Sequence, residues 1–207
     1  QRFNLQPTQT FNTDITAIVS ACLKMSASKT GAIIVLKRNN NLEFIKSTGD
    51  TMNLEVNGPI LESIFYKNSP LHDGAMVIED NTISATRVIL PVSSEQNIPS
   101  RFGLRHRAAL GITERTDAVC LVVSEESGQM SYVKEGDFVR YNDRDELEKI
   151  MARDLSNDLM NLQNCEDIKS KLVILKNVCQ KYMSHSYIYS QCPNITTNIY
   201  NILKEKL

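Results

Sequence analysis

The chain has 207 residues, which suits one domain with an appendage or two small domains. Hydrophobic residues make up 42% and charged residues 23%, an ordinary globular balance that excludes a disordered chain. The net charge is −1, so there is no bulk electrostatic case for nucleic acid or an anionic membrane, and any anion site is local.

Residues 1–10 are polar and carry a proline, the composition of a flexible arm. Asp14 to Met25 reads as a helix with Ile15, Ile18, Val19, Cys22 and Leu23 on one face and Thr13 as its N-cap. Gly31 to Leu36 is a continuous apolar run, the mark of a buried strand. Asn39-Asn40-Asn41 supplies a turn, and Leu42 to Lys46 alternates as a returning strand. Pro59 to Tyr66 spaces Ile60, Leu61, Ile64 and Phe65 as a helix, with Pro59 in the first turn.

Ala75 to Ile78 and Thr82 to Leu90 read as a hairpin around Glu79-Asp80-Asn81. A polar loop, Pro91 to Pro99, leads to a helix over Leu104 to Ile112. Ala118 to Val123 is a second apolar strand, and Gln129 to Val133 returns from it. From Asp143 the pattern turns helical: Leu147, Ile150, Met151, Leu155 and Leu159 share one face. Ile168, Leu172, Leu175, Cys179 and Tyr182 share another, and Thr197 to Lys206 suggests a third short helix. These elements predict an α/β fold: a mixed central β-sheet flanked by helices, with a C-terminal helical extension. The expected boundaries are a flexible arm over 1–10, a principal domain over 11–142 and the extension over 143–207.

Five cysteines, an odd number without a C-x-x-C pair, indicate free thiols in a reducing compartment. No window approaches the roughly twenty apolar residues of a membrane span, and no signal peptide is visible. The chain begins with Gln1 rather than methionine, which leaves room for an anchor upstream.

Three clusters carry chemistry. In Leu71-His72-Asp73-Gly74-Ala75, a carboxylate able to hold a divalent metal or take a hydroxyl proton sits beside an imidazole, at the mouth of a strand. Alone, Asp-Gly is first of all a turn. Arg101, Arg105 and Arg107, with His106 between the last two, offer forks for phosphate at a helix start, or else a solvated basic face. Ser124-Glu125-Glu126-Ser127-Gly128 follows a buried strand, where its acids complete a metal site or merely form an acidic turn. His185 reads as a surface residue. P-loop, dinucleotide-binding, G-x-S-x-G and H-E-x-x-H motifs are absent.

Taken together and in this order, the clusters resemble the diadenylate cyclase family, the bacterial enzymes that make cyclic di-AMP. Asn68 to Ala75 is similar to the family's aspartate motif, Gly103 to Ile112 to its arginine motif, and Val123 to Gly128 to its third segment. Lys29-Thr30-Gly31-Ala32 and Leu90-Pro91-Val92-Ser93 also match, so the resemblance covers roughly residues 11 to 140. It implies that two ATP condense to cyclic di-AMP with release of two pyrophosphates, each 3′-hydroxyl attacking the other ATP's α-phosphate across a face-to-face homodimer.

On this resemblance Asp73, Arg105 and Arg107 are the catalytic residues. Gly74, Ala75, Ile89, Leu90, Leu104, Arg105, His106, Arg107, Ser124 and Glu125 bind ATP: Gly74 lies against the ribose, Ile89 and Leu90 line the adenine pocket, and Arg105, His106, Arg107 and Ser124 contact the phosphates. His72, Asp73 and Glu126 hold a divalent metal, Mn²⁺ or Mg²⁺, with Co²⁺ as a further option. Leu104 stands where many relatives have threonine, so one polar contact worth about 1 kcal/mol is missing. The layout looks most like the class with membrane helices upstream of the cyclase domain, which implies a cytoplasmic catalytic domain and an anchor before Gln1. The competing expectation is a non-catalytic nucleotide-binding sensor of the same fold. A structural interaction module built on the helical tail has only amphipathic periodicity behind it.

Overall fold

The structure is a computed structural model that describes residues 13–95, 98–99 and 102–156. The expected arm, Arg101, Leu159, His185 and the two helices beyond residue 160 lie outside the described residues. The chain divides after Leu155, and the principal unit is Gln1–Leu155.

Its elements are α1 (Ile15–Ala27), β1 (Ala32–Leu36), α2 (Glu43–Lys46), β2 (Asp50–Glu55), α3 (Gly58–Phe65), β3 (Ala75–Glu79), β4 (Thr82–Val88), α4 (Leu104–Thr113), β5 (Val119–Val123), β6 (Met130–Lys134), β7 (Asp137–Val139) and α5 (Arg144–Leu155). Among the described residues the strands form one sheet in the order β2-β4-β3-β1-β5-β6-β7. β1 and β3 are parallel, and every other neighbouring pair is antiparallel. The expected mixed sheet with flanking helices is the observed architecture.

Both faces of the sheet are covered, which is why β1 and β5 are apolar at every position. Ile34 and Leu36 join Met76, Ile78 and Leu121 on one face, packed against Ile18 and Cys22 of α1, Leu61 and Phe65 of α3, and Leu147 and Met151 of α5. The alternate residues Ile33 and Val35 join Val77, Cys120 and Val122 on the other, beneath Ala109, Leu110 and Ile112 of α4 and Leu42 and Ile45 beside α2. The two cysteines in these layers are inert: burial pushes the Cys22 thiol up to about 12 and the Cys120 thiol higher still.

Three expectations change. Leu42 to Lys46 is not a returning strand. Asn41 Oδ1 accepts the Glu43 amide at 2.8 Å, and the short helix buries Leu42 and Ile45, three residues apart, on the α4 face. The next strand is β2, which pairs only with β4 and runs in the same direction as β1; it is an edge strand whose residues are almost all exposed, so it carries no alternating signal. The cap of α1 is Asp14 rather than Thr13, since its carboxylate accepts the Ala17 amide at 2.8 Å.

The third change concerns residues 143–155, assigned from sequence to the extension. They form α5, which belongs to the principal unit. Leu147 and Met151 enter the core, and the buried Asp154 accepts from Tyr132 Oη at 3.2 Å and Lys134 Nζ at 2.9 Å on β6. The β3–β4 hairpin turns at Asp80 and Asn81, both at positive φ (45° and 64°), as a two-residue hairpin turn requires. No helix among the described residues is long and apolar enough to cross a membrane.

Candidate functional site

Strand order gathers the motifs at one rim of the sheet. β1 and β3 run parallel, so Gly31 and Gly74, just before each strand, lie at the same end. β5 runs against β1 with Val123 beside Ala32, which brings Ser124 to that end. β4 runs against β3 with Val88 beside Ala75, which brings Ile89 there too. Segments spread over about a hundred residues thus share an edge beside the N-terminus of α4.

The aspartate loop follows α3. The His72 amide donates to the Ser69 carbonyl at 3.3 Å, and His72 Nδ1 lies 2.6 Å from the same oxygen. A carbonyl only accepts, so Nδ1 is the donor in this contact and Nε2 is the ring nitrogen left for another partner. Asp73 is exposed. Gly74 has φ +98°, and a Cβ there would meet the carbonyl carbon of Arg87 at 2.7 Å and its Cα at 2.8 Å. Opposite it, β4 carries a bulge between its pairings to Ala75 and Val77, with Arg87 at φ +55°. Ile89 emerges beyond the bulge, 69% exposed, its amide held by Thr48 Oγ1 at 2.9 Å. Of the apolar residues expected to bind ATP, Ile89 and Leu104 (71%) face solvent, whereas Leu90 and Ala75 are buried in the α4 layer.

α4 starts at Gly103 without a side-chain cap, which leaves its first amides for an external acceptor. Ser93 donates its amide to the Arg107 carbonyl at 3.0 Å, and a Cβ on Gly111 would strike the Pro91 carbonyl, so the 91–93 segment lies directly on the helix. Arg107 Nη1 donates to the Glu95 carbonyl at 3.2 Å. Arg105 Nη1 pairs with Glu125 Oε2 at 2.8 Å, joining the arginine motif to the third segment.

His106 does something else. It is 3% exposed, with its ring 4.8 Å from that of Phe102 and 6.1 Å from that of Phe138. Burial, aided by the Arg105 charge, holds its pKa down to about 4, so the ring is neutral at pH 7. The expected phosphate contact of His106 is therefore at odds with its position: successive helical residues are rotated by about 100°, so Arg105, His106 and Arg107 point three different ways, and the imidazole is the one that turns into the core.

Ser124 is also buried, and its Oγ accepts the amides of Glu126 at 3.3 Å and Ser127 at 3.2 Å. That hydroxyl shapes the turn and leaves Glu125 and Glu126 exposed. The expected metal set is not assembled within the chain: among the described residues no three His, Cys, Asp or Glu side chains gather closely enough to hold an ion. His72 and Asp73 precede β3, while Glu126 follows β5 two strands away, about 10 Å at normal strand spacing. The nitrogen and oxygen donors suit a divalent cation, but as an open site that needs ligands from elsewhere.

Gly31 carries no side chain that marks it as a site residue in the sequence; only the tertiary structure sets the Arg105 guanidinium against it.

The model of the DisA bacterial checkpoint controller nucleotide-binding family matches residues 19–138. The chain is 45% identical over 119 residues to the diadenylate cyclase CdaS of Bacillus thuringiensis, spanning 58% of this chain and 59% of that protein. It is 38% identical over 141 residues to a diadenylate cyclase of Listeria monocytogenes, spanning 68% of this chain and 52% of that one. The chain thus spans little more than half the length of these curated relatives. Among solved structures, a double cysteine mutant of DacA from Staphylococcus aureus superposes with TM-score 0.66 at 35% identity, covering 68% of this chain and 94% of that one. A hypothetical membrane spanning protein from Bacillus cereus does so with TM-score 0.60 at 42% identity, covering 63% and 64%. Fold, motif order and family match agree, and the chain belongs to the DisA bacterial checkpoint controller nucleotide-binding (DAC) family.

Proposed function

We propose that this chain is a diadenylate cyclase domain, a nucleotidyltransferase that converts two ATP into cyclic di-AMP and two pyrophosphates. The observation that carries the reading is the single rim where Asp73, Ile89, Arg105 and Glu126 converge, in a family whose matched relatives are named for this activity. Asp73 accepts the proton of a 3′-hydroxyl as its oxygen attacks an α-phosphorus. The bond to the bridging oxygen breaks, and pyrophosphate leaves with its electron pair. Arg105, Arg107 and the free amides of α4 neutralise and align the phosphates. Ile89 and Leu104 offer apolar surface to adenine, and Gly74 admits the ribose to the backbone.

When bound, a divalent cation (Mn²⁺ or Mg²⁺, with Co²⁺ as a further option) supplies charge neutralisation at the phosphates. His72 Nε2, Asp73 and Glu126 are the donors this chain offers, with phosphate oxygens completing the set.

The product holds two equivalent phosphodiester links, whereas each domain offers one Asp73 and one phosphate site. A homodimer facing across a two-fold axis meets both needs. ATP as substrate implies that the domain works in the cytoplasm. An anchor elsewhere in the full protein accords with one solved relative being called membrane spanning.

The test is to incubate the protein with ATP and Mn²⁺ or Mg²⁺ and resolve the products by chromatography. Cyclic di-AMP is expected. ATP bound but unconverted with every metal would replace the cyclase reading with a nucleotide sensor.

A further inference from the structure

Arg105 is held at a meeting point of three segments. A Cβ on Gly31 would lie 2.8 Å from both Cζ and Nη1 of Arg105, so the guanidinium rests on the backbone that leads into β1. Gly31 has no positive φ, so glycine stands there for space and not for conformation. From the β5–β6 turn, Glu125 Oε2 takes Nη1 at 2.8 Å, and the Glu125 Cβ would itself lie 3.1 Å from a Cβ on Gly31. The Glu125 side chain is 62% exposed, so the pair adds little to stability. A guanidinium has five N–H donors, and the ion pair with Glu125 is made at Nη1, on the side away from the Nε–Nη2 edge that suits a bidentate oxyanion.

We propose that Glu125 is a positioning residue and Gly31 its counterpart: together they set the guanidinium of Arg105 so that its remaining edge meets a nucleotide phosphate, and Glu125 does not itself touch the nucleotide. This rests on the reading of Arg105 as a phosphate ligand. Bound from two sides, Arg105 loses its rotamer freedom before substrate arrives, and that cost no longer falls on the phosphate contact.

The test is a double-mutant cycle on kcat and KM for ATP with Mn²⁺. Glu125→Ala is expected to lower kcat/KM about tenfold, the scale of one freed long side chain. Glu125→Gln, which keeps the side chain's length and an oxygen able to accept from Nη1 but loses the charge of the ion pair, is expected to fall between the parent and Glu125→Ala. Gly31→Ala displaces the guanidinium and is expected to match Glu125→Ala. In an Arg105→Ala background, Glu125→Ala is expected to change kcat/KM less than about twofold, because its effect runs through Arg105. An undiminished loss in that background shows direct nucleotide contact and overturns the proposal. Tighter ATP binding by Glu125→Ala makes the carboxylate a competitor and overturns it too.

A measurement independent of turnover is the ¹⁵N NMR signal of the Arg105 side chain in the ligand-free protein. Restricted guanidinium rotation in the parent and Glu125→Gln, released in Glu125→Ala, supports the proposal. Free rotation in the parent overturns it. If the parent makes no cyclic dinucleotide, the cyclase reading falls, while this signal still decides the positioning.

Discussion

Gly74 and Arg87 face each other across the β3–β4 bulge, both at positive φ, so closely that a Cβ on Gly74 would lie 2.7 Å from the Arg87 carbonyl carbon. The obstacle is backbone and cannot rotate away. Gly74→Ala is expected to cost about 2–4 kcal/mol from φ strain and overpacking, and to displace Asp73. Urea unfolding measures the cost; an unchanged midpoint with unchanged activity would refute this account of the loop. Arg87→Gly relieves a left-handed arginine and is expected to be neutral or stabilising by up to about 1 kcal/mol.

Asp73 is exposed, so its carboxylate contributes little to packing. Asp73→Asn is expected to leave stability within about 0.5 kcal/mol and retain ATP binding. Cyclic di-AMP formation is expected to fall by at least about a hundredfold, the usual scale of a lost general base. Calorimetric ATP titration alongside product chromatography separates the two effects, and undiminished turnover removes Asp73 from its role.

His106 makes stability pH-dependent. Burial, then the Arg105 charge, depresses its folded pKa from 6.5 to about 4. Between those values the unfolded chain binds more protons, so its contribution is complete above pH 6.5 and is lost as pH falls toward 4. The loss is on the order of 3 kcal/mol. His106→Phe is expected to flatten this limb of the stability–pH curve. An equally steep limb in the variant would mean that other groups produce it.

Asp154 ties α5 to the sheet with its side chain 3% exposed. Asp154→Ala leaves Tyr132 Oη and Lys134 Nζ without their shared acceptor and is expected to cost about 3 kcal/mol. A chain ending at residue 142 also loses Leu147 and Met151 from the core, and is expected to melt well below one ending at residue 155. Equal melting temperatures would show α5 to be dispensable.

If two domains must face each other, specific activity depends on concentration. Dilution through the dimer dissociation range is expected to reduce turnover per chain while leaving ATP binding nearly unchanged. Constant specific activity where sedimentation shows only monomer would exclude the two-fold arrangement.

Much of this was legible in the chain itself. The unbroken apolar runs of β1 and β5 announce strands covered on both faces. Pro59 and the spacing of Leu61, Ile64 and Phe65 announce α3, and the motif residues bring their chemistry with them. The failures have a common cause. β2 is exposed at every position but Met52 and defined only by its partner β4, so it leaves no periodic trace. Residues 42–46 alternate like a strand, yet they turn as a helix, with the Glu43 amide held by Asn41 Oδ1, because Leu42 and Ile45 both find the same apolar layer.

The sequence by itself determined the mixed α/β class, the family and the residue types at the site, since propensity, apolar period and motif spacing are properties of neighbouring residues. Only the tertiary structure decided what those residues face. Arg105, His106 and Arg107 are consecutive, yet the helical turn sends the imidazole into the Phe102–Phe138 layer while Arg105 rests on Gly31 and Arg107 reaches the Glu95 carbonyl. His72 and Glu126 look like partners in one dimension but stand two strands apart in the sheet. Strand order, set by burial over the whole unit, brings segments distant in the chain to one rim of the sheet.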